Sequence, residues 1–145
     1  MKSAGPMTVA LALALAAPAL ATGNVRIQQN DGSVQNYTGV SMKIVGKTLV
    51  LTSADKVSTV VISDASCARV GELTRCRGGN LSLRQDGTHP IPFRSATFYF
   101  NLSDEYQPLP LSTQKVGPHS VVFAAHTDKG TYITGDGVLD KEPAQ

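Results

Sequence analysis

Beyond its first two dozen residues, the chain alternates apolar and polar side chains in short runs, each closed by glycine, aspartate, asparagine or proline. A period of two puts every second side chain on one face, the pattern of half-buried antiparallel strands. Val25 and Ile27 precede Asn30-Asp31-Gly32 and Val34 follows it. An Asp-Gly between two such runs predicts a hairpin, because both turn positions favour positive φ. Residues 40–45 and 48–52 flank Gly46-Lys47, and a turn at Ala54-Asp55-Lys56 leads into residues 58–63, a meander rich in β-branched side chains. Residues 81–85, a turn at Asp86-Gly87 and a longer run over 93–102 predict further strands. Residues 104–118 break the pattern with Pro108, Pro110 and Pro118, which lack the N–H a ladder needs, so this segment reads as a loop or protected edge. Strands resume over 120–126 and, after Asp128-Lys129-Gly130, over 131–139.

No long window carries a 3.6-residue apolar repeat, although residues 64–70 offer one helical turn capped by Asp64. Eight or nine strands at this spacing predict an all-β domain, a single antiparallel β-sandwich or jelly roll.

The start of the chain has a different character. Lys2, an apolar stretch over 9–17 and the small-x-small ending Ala19-Leu20-Ala21 form a secretory signal peptide over residues 1–21. Its apolar part falls far short of the roughly 20 residues a membrane span needs, and nothing downstream is long or apolar enough to cross a bilayer. Cleavage is expected after Ala21, leaving one β-domain over 22–145 with 139–145 as a loose tail. The product is expected to be periplasmic or secreted, and the Ala/Leu-rich leader reads as bacterial.

Export changes the reading of Cys67 and Cys76, the chain's two cysteines. In an oxidising compartment such a pair persists as a disulfide. Closing so short a loop stabilises the fold by about 2 to 3 kcal/mol in the chain-entropy model.

Once the leader is removed, 12 basic residues face 11 acidic ones. That balance gives no bulk drive toward nucleic acid or membrane. The distribution is less even: Arg69, Arg75, Arg77, Arg84 and Arg94 fall in one 26-residue stretch whose acids are Glu72 and Asp86. Guanidinium groups pair bidentately with phosphate or carboxylate. Arg69, Arg75, Arg77 and Arg84, in or near the disulfide loop, are therefore the candidate contacts for an anion or a partner. Outside the cytoplasm such partners include an envelope protein and an anionic glycolipid or polysaccharide. Solubility of an exposed loop accounts for the same residues without any ligand.

Other candidates are weaker. His89, His119 and His126 form no metal pattern, since an odd spacing along one strand sends the last two to opposite faces. Asp104-Glu105 is an adjacent acidic pair, but neighbours on an extended chain diverge, so it reads as a solvated turn. Asp136 between Gly135 and Gly137 lacks a calcium-loop ligand series and a P-loop lysine; it reads as a bulge or turn in the last strand. No serine sits in a nucleophile elbow. The sequons at Asn36, Asn80 and Asn101 matter only in a glycosylating host. No cofactor site and no catalytic residue emerges.

Tyr37-Thr38-Gly39-Val40, Gly46-Lys47-Thr48-Leu49-Val50-Leu51 and Ala54-Asp55-Lys56-Val57 together resemble the repeating unit of the periplasmic lipopolysaccharide-transport β-jelly-roll family. The resemblance spans about 21 residues and implies an exported, lipid-handling jelly roll, with no functional residue carried over. The expected function is that of a non-enzymatic binding or interaction domain of the bacterial cell envelope. The alternatives are a lipid- or lipopolysaccharide-binding jelly roll and a small hydrolase with a dispersed site.

Overall fold

The computed structural model describes residues 23–56, 58–63, 65–84, 88–90 and 93–140, with 83–84 and 88–90 described by their backbone. The expected signal peptide lies outside the described residues. The described chain is all-β. Its strands are β1 (Gly23–Gln28), β2 (Val34–Val45), β3 (Thr48–Thr52), β4 (Thr59–Ser63), β5 (Ser66–Val70), β6 (Leu73–Arg77) and β7 (Asn80–Arg84). There follow β8 (Thr88–Pro90), β9 (Phe93–Asn101), β10 (Gln107–Pro108), β11 (Lys115–Val116), β12 (Ser120–Thr127) and β13 (Tyr132–Val138).

All but β10 and β11 join one antiparallel sheet in the order β5-β6-β9-β12-β13-β1-β2-β3-β4-β7-β8. The strand spacing along the chain suggested two stacked sheets. Instead one hydrogen-bonded sheet curls strongly into a half-barrel. The physical reason lies in β2, whose twelve residues pair with β1 over the first part and with β3 over the second. Between them the β1–β2 register slips by one residue, from Val25↔Tyr37 to Gly23↔Val40. Gly39 sits in the slip with φ of 66°, so this glycine bulge bends the strand and increases its twist.

The curl brings the two ends of the sheet within reach of each other. Gly78 donates its N–H to Ala96 O on β9 at 2.7 Å, and Gly79 donates to Ser63 O on β4 at 3.0 Å. The chain thus steps from β6 to β7 in two residues. A Cβ at Gly78 would meet Ile62 Cγ2 at 2.3 Å, so the step requires glycine.

The core fills the inside of the curl. Met42, Leu49, Ile62, Phe98 and Val121 are fully buried there, together with Phe123, Ala125 and Ile133. The segment read as a helical turn near Asp64 is instead strand β5 from Ser66 onward. Cys67 and Cys76 face each other across the β5–β6 hairpin with Cα atoms 4.1 Å apart, and they form the disulfide. This short crosslinked strand is an edge of the sheet, where pairing alone is weakest.

The glycines around Asp136 do not bulge. β13 pairs in unbroken register with β12 through Gly135, Asp136 and Gly137, and with β1 through Gly135 and Asp136. They are there for close approach. A Cβ on Gly135 would meet Asn24 O at 2.4 Å and the Phe123 ring at 2.7 Å; one on Gly137 would meet Gly23 Cα at 2.4 Å.

Of the segment expected to be a tail, Leu139 is buried and donates its N–H to His119 O at 2.8 Å, and the Asp140 N–H donates to Met42 O at 2.8 Å. Ser41 Oγ donates to Asp140 Oδ2. Residues 141–145 lie outside the described residues.

Candidate functional site

Cross-strand partners share a face of a sheet, so the register gives the outer surface row by row. One row runs Arg75 (β6), Tyr99 (β9), Val122 (β12), Asp136 (β13), Asn24 (β1). The next runs Arg77, Thr97, Ala124, Thr134, Arg26 over the same strands. In the second row the side chains between Arg77 and Arg26 are short, which leaves a shallow floor beside Tyr99.

The proline-bearing segment after β9 makes a wall over this floor. Its β10–β11 hairpin places Tyr106, Leu109, Gln114 and Lys115 beside Tyr99, Val122 and Asp136, enclosing an open groove of about 920 Å³. Tyr132 closes part of the far side, its ring edge-on to His126 at 5.7 Å.

Asn101 holds the wall in place. It is wholly buried, and its Nδ2 donates to the carbonyls of Glu105, Val116 and Gly117 at 2.7, 3.1 and 2.9 Å. Its Oδ1 accepts from Ser103 N–H at 2.9 Å and Ser103 Oγ at 2.7 Å. Two hydrogens serve three carbonyls, so one is shared, and every polar atom of the amide is used. Leu73 and Val116 are also buried on this side, with Leu73 directly across from Asn101. The sequon reading of Asn101 thus has a structural answer: the folded chain offers this amide to no modifying enzyme.

The loop is tied a second time through His119, whose Nε2 lies 2.6 Å from Asp104 Oδ1. His119 precedes β12 and adopts a left-handed φ of 50°. Asp104 is 93% exposed, in keeping with a solvated turn. The pair sits on the solvent side of the loop, and nearby hydroxyls are otherwise engaged: Ser103 Oγ donates to Asn101 and Ser120 Oγ to Pro118 O at 2.8 Å. No cluster of three metal-ligating side chains occurs among the described residues.

The candidate arginines divide. Arg75 and Arg77 stand side by side at the groove's edge, opposite Tyr99 and Thr97. Arg69 pairs with Thr74, on the other face, where it lies 4.0 Å from Glu72 and donates to Gly71 O at 3.3 Å. Arg84 belongs to β7, across from Thr59.

A second, smaller space opens at one end of the curl. About 320 Å³ is lined by Val25, Ile27, Leu51, Val60 and Ile133, with Tyr37 and Thr127 among the polar side chains. It is the unfilled mouth of the core.

The alternation of residues 120–126 and 131–139 located the floor strands, but the wall could not be read from sequence. The signal available was the unusual Asn101 at the end of a strongly apolar strand, followed by a proline-broken segment. Comparison with protein-family models, curated proteins and solved structures finds no match for this chain.

Proposed function

We propose that this chain is an exported, non-enzymatic binding domain of the bacterial cell envelope, periplasmic or secreted, whose ligand or partner seats in the outer groove between β9, β12, β13 and the Asn101-held wall. One observation carries this reading: the groove is a built feature. Its wall is fixed by a buried amide with all of its hydrogen-bonding capacity committed, and a wall held in place over a strand-built floor supplies the pre-organisation that favours recognition. Arg75 and Arg77 at the edge supply charge for an anionic group.

The test is native mass spectrometry of the mature protein purified gently from its own host, alongside Ala124→Trp, which fills the groove from its floor. A bound mass that disappears in Ala124→Trp supports the groove. A bare protein in both forms, or an adduct indifferent to the tryptophan, refutes it. The same spectrum reports whether the chain begins at Thr22 and is two hydrogen atoms lighter than its reduced mass.

A second reading rests on the apolar mouth of the half-barrel. An open jelly roll that handles lipid would place an acyl chain among Val25, Ile27, Leu51 and Val60, consistent with the resemblance of residues 37–57. It predicts an adduct that fragments to acyl chains and is lost in Ile27→Trp while surviving Ala124→Trp.

A further inference from the structure

We infer that the groove takes an acidic oligosaccharide, a proposal that rests on the groove being the binding site and specifies what fits it. Three properties of the groove and its rim converge on this class.

The first is its mixture of ring faces and neutral polar groups. Tyr99, Tyr106 and Tyr132, three of the chain's four tyrosines, line the groove. Tyr106 is 67% and Tyr132 45% exposed, so apolar ring surface is already presented to water. Beside them stand Thr97, Thr134, Asn24 and Gln114, hydroxyls and amides that both donate and accept. A sugar ring offers the same two things, C–H faces that lie on aromatic rings and hydroxyls that both donate and accept. A lipid tail would leave these polar groups without partners, at a desolvation cost.

The second is shape. The groove is open along its length, and its floor from β9 to β1 spans three strand spacings, about 14 Å. An extended chain of rings can lie across such a floor, whereas a compact small molecule would leave most of it uncovered.

The third is charge. In the lining itself Lys115 on the wall offsets Asp136 on the floor; the excess charge lies at the rim, where Arg75 and Arg77 stand one strand beyond Tyr99 and Thr97 and Arg26 one strand beyond Thr134. Among the described residues no carboxylate lies within pairing distance of Arg75 or Arg77. Two residues apart on one strand, their Cα atoms are about 7 Å from each other, a spacing at which both guanidiniums can address one carboxylate or ester anion bidentately.

The probes are a defined hexagalacturonate, its neutral methyl ester, an oligomeric dextran sulfate and a single-stranded oligonucleotide. Binding is followed by backbone NMR shifts and calorimetry at two salt concentrations. The acidic hexamer is expected to shift Thr97, Tyr99, Val122 and Thr134, and the ester to bind at least about tenfold more weakly. The double variant Arg75→Gln/Arg77→Gln and, separately, Tyr99→Ala should each lose about tenfold with unchanged melting curves. Dextran sulfate in place of the uronate, with the same variant losses, would assign the anion as an ester and keep the class.

Equal binding of acid and ester overturns the charge assignment. Equal binding of the oligonucleotide with no loss in Tyr99→Ala reduces the groove to a basic surface and overturns the proposal. If no glycan binds while a native adduct is still abolished by Ala124→Trp, the oligosaccharide falls and the groove stands. If neither is seen, both fall.

Discussion

Replacing Asn101 tests whether the groove wall is held as described. Asn101→Ala removes up to four hydrogen bonds, two donated from Nδ2 at any moment and two accepted at Oδ1. At about 1 kcal/mol net for each, the expected loss is about 3 to 4 kcal/mol, a large share of the 5–15 kcal/mol typical of a whole domain. With a urea slope near 2 kcal/mol/M, the unfolding midpoint should fall by about 1.5 to 2 M. Hydrogen exchange should place the damage, since the amides of Ser103 and Leu109, bonded to Asn101 Oδ1 and Gln114 O, should lose protection before those of β12. Asn101→Asp is the sharper variant. It keeps the acceptor for Ser103 but turns an oxygen toward the carbonyls of Glu105, Val116 and Gly117. The protonated acid is then favoured in the folded state, which raises the folded pKa above the unfolded value near 3.9. The folded chain holds a proton the unfolded chain has released, so stability falls as pH rises from the unfolded pKa toward the folded one. This variant should be the less stable of the two at pH 7 and recover toward pH 4. A midpoint drop below about 0.5 M for Asn101→Ala, or wild-type stability of Asn101→Asp at pH 7, would refute the account.

Reduction of Cys67–Cys76, nine positions apart, should lower Tm by roughly 10 °C, from about 2.6 kcal/mol of loop entropy and an unfolding entropy near 0.25 kcal/mol/K for this size. An unchanged scan on protein shown by mass to be reduced would mean that the crosslink contributes nothing. Gly137→Ala should destabilise by about 1–3 kcal/mol because its Cβ meets backbone, whereas Gly117→Ala, with nothing nearer than 3.5 Å, should stay within about 0.5 kcal/mol; equal denaturation midpoints would contradict the close-approach reading. At the first hairpin the Ser33 hydroxyl and N–H hold the Asp31 carboxyl below its ordinary value. That favours folding above the ordinary carboxylate range and fades as pH falls through the lowered pKa. Ser33→Ala should raise the Asp31 pKa in an NMR titration, and no change would remove the hydroxyl as the cause.

The strands were legible because alternation and turn chemistry are local. Asp31-Gly32 and Gly46-Lys47 each end a strand where expected, and the Phe98 and Phe123 runs bury the faces their period assigns. The disulfide followed from composition. Curling was not legible, since it depends on Gly39 at a register slip and on Gly78 being squeezed between Ile62 and Ala96, contacts between residues far apart in the chain. The hairpin around the cysteines was missed because Ser66–Val70 has the pattern of an exposed edge, with few apolar residues to alternate. For the same reason the arginines looked like one cluster. Only strand parity separates Arg69 from Arg75 and Arg77, and parity needs the register. Asn101 could be noticed in the sequence, but its three carbonyl partners come from a loop whose path no local rule sets.

The last of the described strands stands at the middle of the sheet. β13 is sandwiched between β12 and β1, and Asn24 pairs with Asp136, over a hundred positions away. A polypeptide emerging N-terminus first therefore has β1 and β12 waiting with unpaired edges until β13 arrives. Such non-local closure belongs with the slow, millisecond-to-second class of folding, and the waiting edges are the places where two immature chains would pair with each other. Cutting the chain before Tyr132 removes the seam that makes one sheet of two incomplete ones, and Thr134 and Asp136 leave with it. Assembly of the fold and completion of the groove are thus one event, set by the arrival of the same seven residues.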